Sequence, residues 1–254
     1  MGKLGKEIEN RVNVSRKVAT AASTHGPNLA SAISTRMKDL HAPNAPDPAA
    51  VEALFASLAG SATGAAQRLE AAALALAAEQ SDDHAPRRRR DDATASVLGL
   101  MTRLRSTVDD ALGAEGLKTY GLDGETPRTA KALSSHATNV IHQLGEHPAT
   151  VTTELGTTFD TATVRATLTT KHAPLLAALS EVDREERELE DALGKRDQAL
   201  ELWSAVYQGV ATTLEGLFRL AGRADLAARV RPTSRTVSGE DAGPEEGEGG
   251  EGEG

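Results

Sequence analysis

The sequence contains no cysteine and only six aromatic residues among its 254 positions. The lack of cysteine excludes disulfides, thiolate nucleophiles, iron–sulfur clusters and cysteine-ligated zinc sites. Few aromatic residues and abundant alanine and leucine favour helices over sheets, and the chain is long enough to bury a real core. We therefore predict an all-α fold. The composition, with more arginine than lysine, is also typical of a GC-rich bacterial genome.

Net positive charge is lacking as well, since the formal net charge is −9. Seven acidic residues near the C-terminal end carry most of it: Glu240, Asp241, Glu245, Glu246, Glu248, Glu251 and Glu253. Removing those seven charges leaves residues 1 to 239 at −2. This part therefore lacks the strong basic field of a general nucleic-acid binder, which argues against nucleic acid as a partner.

The Gly- and Glu-rich C-terminal stretch has almost no apolar side chains. Such a stretch does not bury enough surface to offset the entropy lost on ordering. Because Pro232 precedes it, we predict an α-helical bundle over residues 1–232 and a disordered acidic tail over residues 233–254.

Long apolar runs are also missing. None approaches the roughly 18 to 20 residues that a membrane-spanning helix needs. The N-terminus is basic but lacks the apolar stretch of a signal peptide. We expect a cytoplasmic protein without membrane contact.

Helical spacing of apolar residues predicts a series of helices. The first stretch, residues 4 to 40, contains Gly26-Pro27 and forms one kinked helix or two short ones. Asp47-Pro48 predicts an N-cap and first-turn proline for a helix of about thirty residues. We expect a polar loop over Ser81 to Arg90 and then a third helix.

Four glycines between Gly113 and Gly124 predict a break after the third helix. Thr126-Pro127 predicts the start of a fourth helix, which we expect to end at Gly145. Residues 148 to 170 hold ten threonines, so residues 148–160 are either helical or extended.

The most regular pattern lies on the predicted C-terminal helix. Asp160 is expected to cap a helix that Pro174 kinks or interrupts. A 4-3 alternation then predicts a continuous helix of about 45 residues, or two helices divided near Gly194, with a coiled-coil-like seam. We prefer the continuous helix, because one internal glycine costs only about 1 kcal/mol. The seam comprises Leu175, Leu179, Val182, Glu186, Leu189, Leu193, Arg196, Leu200, Trp203, Tyr207, Val210, Leu214 and Leu217.

The titratable residues show no motif of a catalytic or metal site. The histidines are scattered, with one His/acid pair four residues apart, His142 and Glu146. The acids between Glu181 and Asp191 alternate with Arg184 and Arg187, which is typical of a solvated helix face. The histidines are His25, His41, His84, His136, His142, His147 and His172.

Two further features suggest contacts. The basic run Arg87 to Arg90 is flanked by aspartates that offset its charge, and we hypothesise that the acidic tail docks on it. Trp203 and Tyr207 lie four residues apart on one helix face, where they anchor the core or, if exposed, form an interface hot spot.

Phosphate-binding glycine loops, nucleophile elbows and kinase signatures are absent from the sequence. We therefore assign no catalytic, cofactor-binding or metal-binding residue and no cofactor. Our main hypothesis is a non-catalytic helical scaffold or interaction protein that contacts a protein partner or itself through coiled-coil-like surfaces. The alternative is a helical bundle that binds a small ligand or metal, either as a binding protein or as an enzyme, because catalytic groups can converge without a local motif. A weaker alternative is a nucleic-acid-associated protein.

Overall fold

The computed structural model describes residues 4–41, 44–82, 84–152, 156, 158–233 and 237–238. Within this part the predicted all-α fold is confirmed, with one two-stranded hairpin added. The predicted acidic tail lies outside the described residues from residue 239 onward. The elements are α1 (Lys6–His41), α2 (Pro48–Asp82), α3 (His84–Thr119), α4 (Ala130–Glu146), β1 (Thr150–Thr152), β2 (Thr158–Asp160), α5 (Thr161–Leu220) and α6 (Ala224–Val230).

Helix α1 is one helix that continues through Gly26-Pro27. Gly26 allows close approach of α2, because a Cβ atom at this position would lie 2.6 Å from Cβ and Cγ of Phe55. The predicted start of α2 is confirmed, since the carboxylate of Asp47 accepts a hydrogen bond of 2.7 Å from the Ala50 N–H.

The predicted polar loop over Ser81 to Arg90 is wrong. Helix α2 extends to Asp82 and α3 begins at His84, so the four arginines are helical. Arginine is a good helix former, and Pro86 lies in the first turn of α3, where its missing N–H has no helical partner to lose.

The predicted glycine break is confirmed at Gly113, which interrupts α3 with a φ of +61°. The start of α4 at Thr126-Pro127 is wrong, because α4 begins at Ala130 after Thr129. The Arg105 guanidinium donates hydrogen bonds to the carbonyls of Gly124 (2.8 Å) and Asp123 (3.4 Å). These contacts bind the segment before α4 to a side chain of α3, and residues 122–129 are not helical. Helix α4 ends at Glu146, one residue beyond the expected Gly145.

The threonine-rich segment forms a short antiparallel hairpin, so its extended alternative applies to Thr150–Thr152. Val151 pairs with Phe159, and residues 153–155 lie outside the described part. Phe159 is buried and its ring centroid lies 6.2 Å from that of Tyr120. This contact joins the hairpin to the end of α3.

Helix α5 is a continuous helix of 60 residues that passes through both Pro174 and Gly194. The preferred continuous helix is thus confirmed, and an interruption at Pro174 is wrong. A proline inside a helix costs about 3 kcal/mol. Burial of Leu168, His172 and Leu175 beside it holds this turn against the core.

Caps close both ends of α5, and the predicted Asp160 cap is confirmed. Asp160 accepts hydrogen bonds from the N–H groups of Ala162 (3.3 Å) and Thr163 (2.9 Å). At the other end the Arg223 N–H donates to the Phe218 carbonyl at 2.8 Å, and Gly222 has a φ of +76°. This geometry terminates the helix and lets the chain turn back into α6.

The chain divides into two compact units with separate cores. Unit 1 comprises residues 1–78 and 190–254, and unit 2 comprises residues 79–189. The core of unit 1 is built from α1, α2, α6 and the second part of α5, and includes Phe55, Trp203 and Phe218. The core of unit 2 is built from α3, α4, the hairpin and the first part of α5, and includes Met101 and Leu133.

The predicted seam on α5 is buried only in part. Leu175 and Val182 lie in unit 2, and Trp203 to Leu214 lie in unit 1, where the seam positions are buried. Between them Glu186 is exposed and Leu193 retains 38% of its accessible surface. The buried seam residues therefore pack in the two cores of the chain itself, and the middle of the seam is exposed.

One helical stretch, within Pro48–Thr119, is long and apolar enough to pass as a candidate membrane span. The lengths of the apolar runs in the sequence did not predict such a span. This is weak evidence, because the core helix of a water-soluble protein meets the same criteria, and Phe55 and Leu69 of α2 pack into the core of unit 1.

Candidate functional site

A groove of about 860 Å³ lies in unit 1 between α1 and α6, and we name it the α1–α6 groove. The turn at Gly222 returns the chain so that Leu226 and Val230 of α6 pack into the unit 1 core beside α1. The lining residues are Asn10, Asn13, Val14, Arg16, Lys17, Thr20, Ala21, Thr24, His25, Leu226, Arg229 and Val230.

The groove carries charge of one sign. Arg16, Lys17 and Arg229 line it, and none of the described residues that line it is acidic. Arg16 forms an exposed ion pair with Glu70 at 3.3 Å, a type of pair worth about 0–1 kcal/mol. Lys17 and Arg229 have no acidic partner in the described part of the chain. The groove therefore offers cationic groups to a ligand without a competing carboxylate among its lining residues.

The groove also has apolar walls. Val14 and Ala21 lie two helical turns apart on α1, and Leu226 and Val230 contribute from α6. Asparagine and threonine side chains of α1 complete the lining. Such a surface matches a ligand with both apolar and anionic groups.

Arg11 lies one turn before Val14 of the groove and ties the chain beyond α6 to α1. Its guanidinium donates to the carbonyls of Val237 (3.1 Å) and Ser238 (2.7 Å) and lies 5.9 Å from the ring centroid of Trp203. The Trp203 indole N–H in turn donates to Ser15 Oγ at 2.8 Å, and both side chains are buried. The last described residues are thereby held beside the N-terminal end of the groove.

The predicted role of Trp203 and Tyr207 as core anchors is confirmed. Their rings stack with centroids 5.2 Å apart, and both are buried. The alternative of an exposed hot spot at these two residues is therefore wrong.

Ser134 and His172 form a buried pair that the sequence analysis missed. Ser134 Oγ lies 2.8 Å from His172 Nε2, and the two side chains are 5% and 4% exposed. A serine beside a histidine is the geometry of an activated nucleophile, but attack also requires access and a group that orients the base. No acidic side chain hydrogen-bonds His172 among the residues described here, so the arrangement is that of a satisfied buried pair. Sequence gave no signal because the residues are 38 positions apart on different helices.

The remaining histidines do not converge. His84, His142 and His147 are exposed, and His25 packs edge-on against Phe218 at 6.4 Å between ring centroids. Burial lowers the pKa of His136 and His172 from the ordinary value. The side chain of His41 lies outside the described part. Within the described residues, no cluster with metal-ligand spacing contains a histidine.

The acidic stretch of α5 lies at the protein surface, and several of its acids pair with cations. Asp183 contacts Lys131 at 3.1 Å, and Arg184 contacts Glu185 at 2.7 Å and Glu188 at 3.8 Å. Glu79, which sequence did not single out, brings its carboxylate within 4.8 Å of those of Glu185 and Glu188. Because Arg184 already neutralises two of these three acids, the cluster is a charged surface network.

The arginine run at the start of α3 is engaged within unit 2. Arg89 donates two hydrogen bonds to Glu181, at 2.8 and 2.9 Å, and Arg90 pairs with Asp91 at 2.8 Å. Docking of the acidic tail on this run stays a prediction.

Comparison with protein-family models, with curated protein sequences and with solved structures finds no match to this chain. Any function must therefore be argued from the chain's own residues.

Proposed function

We propose that this chain is a non-catalytic helical interaction protein that binds an acidic polypeptide segment in the α1–α6 groove. The observation that carries the proposal is the lining of that groove, with Arg16, Lys17 and Arg229 and no acidic residue, on a chain whose net charge is −9. A cationic groove on an acidic protein selects anionic partners locally, and complementary charge speeds their association.

The extent of the groove favours a polypeptide over a small anion. From Asn10 to His25, the lining part of α1 spans about 22 Å at 1.5 Å per residue. The apolar side chains of Val14 and Ala21 repeat along this length and suit the apolar face of an amphipathic segment. A single small anion would leave most of this surface uncovered.

The coiled-coil-like surface predicted on α5 suits this role less well. Leu175, Trp203 and Leu214 already pack inside the two cores. They are not available to a partner without unfolding. The groove is therefore the better candidate for the interaction surface.

The first prediction concerns acidic peptide binding. The probe is a fluorescein-labelled peptide of sixteen glutamates, and the protein is the full chain with its seven C-terminal acids (residues 240–253) changed to amides, so that they do not compete with the probe. We expect binding in fluorescence anisotropy that weakens as salt shortens the Debye length from about 10 Å at 0.1 M to about 3 Å at 1 M. The double variant Lys17→Glu/Arg229→Glu should bind at least about tenfold more weakly, which is about 1.4 kcal/mol.

The matched control reverses the same number of charges outside the groove, at exposed Arg103 and Lys171 of unit 2. Arg103→Glu/Lys171→Glu should bind the probe like its parent. Equal losses in both double variants would show a general charge effect and contradict the proposal. Tighter binding of a 16-base-pair DNA duplex than of the peptide would assign the groove to nucleic acid instead.

A further inference from the structure

We infer that the acidic segment of this chain, residues 239 to 254, occupies its own α1–α6 groove and competes there with an acidic partner. This inference rests on the proposed function, because it names an occupant of the same groove. It commits to binding within one molecule. Occupation by the segment of a second copy, or by no segment, is an outcome of the test.

The first support is the place where the described chain stops. Val237 packs against the core of unit 1, and its carbonyl and that of Ser238 accept hydrogen bonds from Arg11. Arg11 lies on α1 between Asn10 and Asn13, which both line the groove. Measured along the axis of α1, the residue that holds Val237 and Ser238 therefore lies within one helical turn, about 5.4 Å, of the lining residues Asn10 and Asn13.

The second support is the length of the acidic segment. The sixteen residues from 239 to 254 span up to about 50 Å when extended, at roughly 3.3 Å per residue. The groove runs about 22 Å along α1, from the 1.5 Å rise per residue. The segment can thus follow the whole groove and reach Arg229 on its other wall.

The third support is complementary charge. The segment contains seven acids and no basic residue, and the groove contains three cationic side chains and no acid. The glycines of the segment let its backbone adapt to the groove, since glycine tolerates most backbone conformations. The segment has almost no apolar side chains for the apolar walls. Its binding is therefore weak, electrostatic and displaceable by an amphipathic acidic partner.

Tethering makes such weak binding effective. A short flexible connection gives an effective concentration in the mM range. If the free segment binds with a dissociation constant of about 0.1 mM, the tethered segment occupies the groove most of the time. The apparent affinity of the groove for a competitor is then about tenfold lower.

The second prediction is tested on the wild-type full chain and on the full chain with its seven C-terminal acids changed to amides. The readout is the rate at which acetic anhydride modifies Lys17, followed by mass spectrometry in 20 mM salt. We expect Lys17 to react at least about threefold more slowly in the wild type. Lys171, exposed in unit 2, is the internal control and should react equally in both chains.

Three outcomes would overturn the inference. Equal Lys17 rates in both chains would leave the groove unoccupied by the segment. If the protection of Lys17 falls when the protein is diluted tenfold, the acidic segment of a second copy occupies the groove. Protection that is lost with Arg88→Glu but kept with Arg229→Glu would place the segment on the arginine run of α3.

The glutamate-peptide assay separates this inference from the proposed function. The amide-substituted chain should bind the labelled peptide about tenfold more tightly than the wild type. If both chains bind it equally and Lys17→Glu/Arg229→Glu abolishes binding, the groove binds acidic segments but the chain's own segment does not occupy it. If neither chain binds the peptide, the proposed function itself fails.

Discussion

Two buried polar pairs among the described residues, Trp203 with Ser15 and His172 with Ser134, each join residues distant in sequence. A buried donor without a partner costs about 1–3 kcal/mol, so each pair fixes how two helices meet. The Trp203 pair ties α5 to α1 in unit 1. The His172 pair ties α5 to α4 in unit 2.

The third prediction concerns His172 and pH. Burial lowers the folded-state pKa of His172 below its ordinary value of 6.5, so the unfolded chain binds more protons between these two values. Its contribution to stability is fully present above pH 6.5 and is lost as pH falls through the folded-state pKa. We expect the melting temperature to fall between pH 7.5 and pH 5.5, and to fall less steeply in His172→Gln.

The control for this prediction is His84→Gln, which changes an exposed histidine of the same unit. It should keep the wild-type dependence on pH. The His172→Gln variant should keep part of the dependence of melting temperature on pH. We expect this part from half-buried His136, because burial lowers its pKa as well. An unchanged slope in His172→Gln would contradict the assignment.

At the scale of elements, the sequence predicts helix ends well where a side chain or glycine closes them locally. Asp47 and Asp160 cap the predicted starts of α2 and α5. The prediction of helix ends fails where a residue distant in sequence determines them. The start of α4 shifts to Ala130, after a segment whose Gly124 carbonyl is bound by Arg105 of α3. Pro174 stays inside α5, where its neighbours are buried.

The fourth prediction compares two helical glycines. Gly26→Ala places a Cβ atom 2.6 Å from Phe55 and should destabilise the protein by about 1–3 kcal/mol, as overpacking does. Gly194→Ala meets no atom within 4 Å and should stabilise α5 by about 0.5–1 kcal/mol through helix propensity.

Urea unfolding followed by circular dichroism measures both changes, and each variant is the control for the other. If both variants change the free energy of unfolding equally and in the same direction, contact with Phe55 does not explain why position 26 is glycine. Destabilisation by Gly194→Ala would show that α5 is not a regular helix at that point.

At the scale of the whole molecule, the two separate cores give the fifth prediction. The single tryptophan, Trp203, lies in unit 1, so its fluorescence reports on unit 1 alone. Leu133 is fully buried in unit 2, and Leu133→Ala should cost about 2–5 kcal/mol there. We expect the thermal transition in circular dichroism to broaden or split, while the midpoint measured by tryptophan fluorescence stays unchanged.

The matched variant is Leu214→Ala, which removes a buried leucine of unit 1. It should lower the fluorescence midpoint. If Leu133→Ala lowers the fluorescence and circular dichroism midpoints equally, the two units unfold as one cooperative body.

Composition and apolar spacing alone determined the all-α class, most of the helices, and the continuity of α5 through Gly194, because these depend on contacts between near neighbours in sequence. The α1–α6 groove, the Arg11 contact with Val237 and Ser238, and the Ser134–His172 pair were decided only by the tertiary structure. Each joins residues whose proximity follows from how helices pack, and no local pattern encodes that packing.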